Sequence, residues 1–207
     1  MLHAAKFRIY PTTEQEKFLW GQWGAVRFVW NKALALKQRA YERDGTNLSV
    51  IHDLKPLLAV AKKSRKYSWL KQYDSMALQE SVRHLDGAFN RFFKHDAGFP
   101  QWKSRRGEQS SYHCTCVSVG DGWIRIPKMG WIKTVTHRSV EGKVKSITLS
   151  ADTTGAYYAA VLYEDGKPQP EAIPKIYENK ICGIDLGITD LVIESDGKKT
   201  ANPKHIK

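Results

Sequence analysis

Hydrophobic positions change their spacing twice along this chain. Residues 4–10, "AAKFRIY", alternate apolar and polar, which predicts a strand that Pro11 ends. Leu19, Trp23, Val26, Trp30 and Ala33 then recur at helical spacing and predict a long helix running to Asp44-Gly45. Thr13 and Glu16 predict a capping box at its start. Ser49 predicts the start of a shorter helix, with Pro56 near a start or a kink. A third helix follows from Leu78, Val82, Leu85, Phe89 and Phe92, capped by Ser75. Beside that apolar stripe runs a polar one: Gln79, Arg83, Asp86 and Asn90. Beyond "GFPQWKSRRGEQSS" the alternation returns in "WIRIP", and "KSITLS" and "AYYAAVLY" flank a turn at "ADTTG". Residues 164–180 carry three prolines and read as a linker, after which "ICGIDL" opens a new strand. Strand, helices, strands, linker, strand is the order expected of a β domain interrupted by an all-helical insertion.

Charge sharpens this picture. The 207 residues hold 33 Lys and Arg against 21 acids, a net charge of +12 and a pI near 9.6. That excess points to a polyanionic partner, above all nucleic acid. No apolar run is long enough to span a membrane, the start turns polar too early for a signal peptide, and no basic amphipathic helix stands out. Three cysteines, Cys114, Cys116 and Cys182, suggest reduced thiols and a cytoplasmic protein. Cys114 and Cys116 share a strand face and are expected to pack together. No second pair accompanies them, so no zinc site is expected within the chain.

Two basic clusters have aromatic neighbours suited to stacking on unpaired bases. One is Lys62, Lys63, Arg65 and Lys66 with Tyr67 and Trp69; the other is Lys103, Arg105 and Arg106 with Trp102. Further on, "GIDLGITDLVI" sets Asp185 at the C-terminal end of a strand, with Gly187 bending the chain beside it. A carboxylate there suits a metal ion or a metal–phosphate complex; a plain turn cap is the alternative. Actin-like ATPases and RuvC-like nucleases both use such a hairpin, the latter to hold Mg2+.

"KFRIYPTTEQ", "GAVRFVWNKALA", "SWLKQYDSMALQESVRHLDGAFNRFF", "GFPQWKSRR", "IRIPKMGWIK" and "GIDLGITDLVIESDG" occur in one order. In that order they resemble the N-terminal half of the TnpB family, transposon-encoded relatives of type V CRISPR nucleases. The resemblance implies an α+β protein: a β-barrel wedge domain from residues 1–11 and 108–170, with a helical recognition domain, 12–107, inserted into it. A linker at 171–180 and the first hairpin of a RuvC-like RNase H fold at 181–207 would follow. It implies a guide RNA and double-stranded target DNA with an adjacent motif as partners. Gln79 would contact that motif, Ser75 would sit one turn before it, and Arg83 would hold phosphate. Asp185 would be the first acidic ligand of a catalytic Mg2+ site. The family's Glu, final Asp and four-cysteine element have no counterpart here, so the chain reads as truncated and, by itself, inactive as a nuclease. A stand-alone RNA- or DNA-binding protein without nuclease activity is the alternative, and an actin-like ATPase fragment a distant one.

Overall fold

The computed structural model describes residues 1–105, 110–169 and 181–203. They fall into two compact units, Met1–Lys167 and Pro168–Lys207. The first begins with β1 (Leu2–Tyr10), whose alternation is realised: Ala5, Phe7 and Ile9 are buried, while Lys6, Arg8 and Tyr10 face outward. Helix α1 follows (Thr13–Asp44) and ends on Gly45 in the left-handed region at φ 74°. Its capping box lies one residue earlier than the sequence reading, at Thr12 and Gln15. The reason is that the Gln15 amide works in both directions. Its oxygen accepts the Thr12 N–H at 3.0 Å, while its nitrogen donates to the Trp131 carbonyl at 2.8 Å. A glutamate could do only the first.

Ser49 caps a wide π-type turn (Val50–Leu54) that runs into α2 (Lys55–Lys63), with Pro56 in its first turn where no N–H is needed. A 3-10 segment (Arg65–Gln72) leads to α3 (Ser75–Phe93). Helices α1 and α3 pack closely because Ser81 is small and buried, its hydroxyl donating to the Val26 carbonyl at 2.9 Å. Leu19, Trp23, Leu34, Leu78 and Leu85 are each about 1% exposed or less. Burying side chains of this size is worth about 1.5–3 kcal/mol apiece.

The remaining strands of this unit are β2 (Ser110–Cys114), β3 (Ser118–Gly120), β4 (Trp123–Ile126), β5 (Gly130–Val135), β6 (Lys143–Ala151) and β7 (Tyr157–Glu164). They form one antiparallel sheet in the order β2-β6-β7-β1-β5-β4-β3. The first strand of the chain is thus central, and its sheet is completed only after the helices. The expected closed barrel is not formed: β2 and β3 are free edges, and among the described residues each bonds one neighbour only. Strand β1 pairs with β7 from Leu2 to Ile9 but with β5 only from Arg8 to Tyr10, so its two neighbours overlap it over different lengths.

Cys114 and Cys116 do not pack together. Strand β2 ends at Cys114, which is buried with its thiol donating to the Ile147 carbonyl at 3.4 Å; Cys116, beyond the strand, is exposed. Burial, then the nearby Asp74 and Cys116, push the Cys114 thiol up to about 12, so it stays protonated.

The second unit carries a small sheet of β8 (Ile184–Asp185), β9 (Asp190–Glu194) and β10 (Lys199–Ala201), ordered β10-β9-β8 and antiparallel. The strand expected at "ICGIDL" shrinks to two residues and is not buried: Ile184 is 65% and Leu186 74% exposed. No helix of this unit lies among its described residues to cover either face. The linker at 171–180 lies outside the described residues.

Candidate nucleic-acid interface

Asp74, not Ser75, caps α3. Its backbone is extended, and its carboxylate accepts the Met76 N–H at 2.9 Å. Its own N–H donates to the Gln22 side chain of α1 at 2.7 Å, which fixes the start of α3 against the core. Ser75 is thereby released from capping, and its hydroxyl accepts a hydrogen bond from Lys62 Nζ at 2.8 Å. Around this bond lies a groove of about 680 Å³, lined by Lys55, Lys62, Lys63, Lys71, Ser75 and Gln79 together with the apolar Ile51, Leu58 and Ala59. Four residues singled out in the sequence (Lys62, Lys63, Ser75 and Gln79) therefore meet in one place. Gln79 is half-buried, and its amide has no hydrogen-bond partner among the described residues. Burial lowers the Lys62 pKa, Asp74 partly restores it, and Lys128 lowers it further.

Lys55 and Lys71 belong to this groove and were missed. For Lys55 the signal was present: Lys55, Ala59 and Lys62 are spaced four and three on α2, one face of the helix. Arg65 and Lys66 are not brought into it. They sit on the 3-10 segment, where Lys66 lies 5.6 Å from the Tyr67 ring. Tyr67 and Trp69 are half-buried and both pack against Phe28, at 5.6 and 5.3 Å between ring centres.

The second basic cluster is strapped along α1. Trp30 donates its indole N–H to the Gln101 carbonyl at 3.0 Å, and Asn31 exchanges two hydrogen bonds of 2.8 Å with the Lys103 backbone. The Lys103 ammonium then lies 3.9 Å from the centre of the Trp30 ring, and burial lowers its pKa. Arg105 lies 5.6 Å from the Trp20 ring. Arg27, also missed in the sequence, is close enough that Arg105 adds to the lowering of its pKa by burial. Trp102 is 54% exposed; Arg106 lies outside the described residues.

A further groove of about 470 Å³ joins Lys103 and Trp30 to Arg83, His84, Gly87 and Arg91 of α3. Arg83 is tied to Glu80 at 2.5 Å. Burial, with Lys103 next, lowers the His84 pKa against the opposing pull of Glu80 and so favours the neutral ring. The rest of the polar stripe is occupied internally, Asn90 donating to Asp86 at 3.2 Å.

In the second unit, Asp185 ends β8 opposite Ile193 and is exposed. Gly187 is required behind it, because a Cβ there would lie 2.9 Å from the Asp190 carbonyl oxygen. Its neighbouring acids have other partners: Asp190 faces Lys199 and Glu194 faces Lys198, both at 3.8 Å. No group of three His, Cys, Asp or Glu side chains able to hold a metal ion exists among the described residues. One carboxylate does not make a centre for Mg2+.

Comparison with known proteins agrees with a nucleic-acid role. A family model described as a helix-turn-helix domain, of the OrfB IS605 type, matches residues 1–46. Here those residues form a strand and one unbroken helix. The virulence protein VsdF of Salmonella dublin is 52% identical over 116 residues, covering 52% of this chain and 98% of that protein. A Streptomyces pristinaespiralis protein provisionally named an RNA-guided DNA endonuclease is 32% identical, over 98% of this chain and 50% of its own length. Escherichia coli K12 InsQ, with the same provisional name, is 30% identical, over 95% of this chain and 48% of its own. The chain thus spans about half the length of these last two relatives. With the matched domain and two alignments over nearly all of this chain on one side and the ordered motifs on the other, the chain belongs to the TnpB family of transposon-encoded proteins.

Proposed function

We propose that this chain is the nucleic-acid-binding portion of an RNA-guided DNA endonuclease, reading a short DNA motif beside the target with the start of α3. The observation that carries the reading is the groove in which Gln79 and Ser75 meet four lysines. Lysines neutralise phosphates on either side of a groove, while a half-buried glutamine amide on a capped helix offers the donor–acceptor pair that suits an adenine edge. The basic strap at Lys103 and Arg105, with Arg83 across the second groove, extends the phosphate-binding surface. Under this reading the strands of 1–11 and 108–170 act as a wedge domain and residues 12–107 as the recognition domain inserted in it. A guide RNA supplies the remaining specificity by base pairing. The work is done in the cytoplasm of a prokaryotic cell; among the described residues no helix is long and apolar enough to cross a membrane.

In this reading Asp185 is the first carboxylate of a Mg2+ site. The described residues hold no group of three side chains able to bind a metal ion, and this favours a second reading, in which the 207-residue polypeptide occupies RNA and DNA without cutting.

The test is a binding screen of wild type and Gln79→Ala against a randomised motif library. The variant folds and binds RNA as wild type does but loses about 1–3 kcal/mol of motif discrimination, the value of one bidentate contact. Identical motif preference at identical affinity refutes the assignment of Gln79.

A further inference from the structure

The outward face of the large sheet carries a second, unassigned array of aromatic and cationic side chains. On β4 the outward residues are Trp123 and Arg125; on β5 Trp131, Lys133 and Val135; on β1 Lys6, Arg8 and Tyr10. Registration sets them side by side. Arg125 pairs with Trp131 and Trp123 with Lys133 across β4 and β5; Lys133 pairs with Tyr10 across β5 and β1; and Arg8 pairs with Tyr158 across β1 and β7. Successive rows are about 7 Å apart along the strands and neighbours about 5 Å apart across them.

Three features set this face apart from an ordinary solvated one. First, Trp123, Trp131 and Tyr10 are 48%, 51% and 48% exposed, a concentration of large rings that a sheet facing water does not need. Second, the outward positions of β4, β5 and β1 hold no acid, and among the described residues Arg125, Lys133, Lys6 and Arg8 are in no salt bridge. Third, the Tyr158 ring on β7 and the Tyr10 ring on β1 already have cations over them, Lys6 at 4.3 Å and Arg8 at 5.9 Å from Tyr158 and Arg8 at 5.7 Å from Tyr10, whereas Trp123 and Trp131 have none among the described residues. Two half-exposed indoles thus stand beside cations that lack a counter-charge.

We propose that this face is a stacking platform for an unpaired stretch of RNA, with bases laid on Trp131 and Trp123 and the intervening phosphates held by Arg125, Lys133 and Arg8. Flat apolar rings flanked by positive charge fit a polymer of bases joined by phosphates, and an extended strand matches the row spacing of a sheet. RNA rather than DNA rests on the proposed function, in which the DNA duplex occupies the groove at Gln79 and the guide is the RNA. The platform is separate from that groove in residues and in chemistry, since stacking tolerates any base and the amide does not.

The experiment measures binding of fluorescent oligouridine to the full 207-residue chain, wild type against Trp131→Ala, Trp123→Ala and Trp131→Phe, across a salt series. Each Trp→Ala change weakens binding by about tenfold with the salt slope unchanged, and Trp131→Phe restores most of it. Lys133→Gln makes the log–log salt slope shallower by about 0.7. Melting temperatures of all variants match wild type, because these rings are on the surface. Trp→Ala variants that bind oligouridine as tightly as wild type overturn the platform while leaving the Gln79 reading intact. Equal binding of oligodeoxythymidine, with the same losses, also overturns it as an RNA site. A wild-type chain that binds neither oligouridine nor duplex DNA at low salt overturns both readings.

Discussion

At Asp152 one carboxylate oxygen accepts three hydrogen bonds: from the Thr154 N–H at 3.0 Å, the Thr154 hydroxyl at 2.7 Å and the Ala156 N–H at 2.9 Å. These bonds, the Thr154 hydroxyl first, hold its pKa below the ordinary aspartate range. A depressed carboxylate stabilises the fold above the unfolded pKa, and that contribution fades as the pH falls through the folded one. Asp152→Ala is therefore expected to melt below wild type at pH 7, with the gap closing as the pH falls below about 3.9. Thermal melts at both ends of that range check it; a gap independent of pH would show that the charge is irrelevant. "ADTTG" advertised this turn because Asp, Thr and Gly carry their turn chemistry locally. The helix caps were legible only to within a residue. Thr12 displaced Thr13 because Gln15 reaches the Trp131 carbonyl, and Asp74 displaced Ser75 because its N–H meets Gln22. Both partners are distant in sequence, and no local pattern reveals them.

Among elements, α1 and α3 each carry interior glycines whose reasons differ. A Cβ on Gly21 would lie 2.8 and 2.9 Å from the Tyr73 ring, which is itself held between Phe18 and Trp69. A Cβ on Gly87 meets nothing within 4 Å. Gly87→Ala should thus stabilise by about 1 kcal/mol, the helix cost of glycine, while Gly21→Ala loses at least that gain to the clash. Denaturant midpoints separate the two; a stabilised Gly21→Ala would mean the Tyr73 ring moves aside freely. Helix lengths and apolar faces could be read from Leu78, Val82 and Leu85 because periodicity is local. What faced a basic residue could not. Lys62 and Gln79 are 17 positions apart and meet only because α2 folds back on α3. The outward Trp123 and Trp131 went unnoticed for the same reason: one strand shows alternation, but a face exists only once neighbours are in register.

At the scale of the whole molecule, the closed barrel was the expectation that failed, because closure depends on whether distant edge strands meet, and β2 and β3 do not. Asp185 was singled out from its hairpin, yet the expected buried strand before it was not found, since burial needs a covering layer rather than an apolar run. The 207-residue chain is expected to leave both strands of a matched DNA uncut in Mg2+ while still retaining it. In a chain extended by the remaining half of the longer relatives, Asp185→Ala should abolish cutting and spare RNA binding. Guide-dependent cutting by the short chain, or undiminished cutting by the extended variant, would refute the role of Asp185. The central position of β1 has a consequence in time. Its partners lie at residues 133–135 and 157–164, so the first strand made must wait for more than half the chain. At ~5–20 residues per second of synthesis, that delay is roughly 6–30 seconds. Throughout it, Phe7 and Ile9 have no sheet to enter, and the growing chain must shelter them or present them to a chaperone.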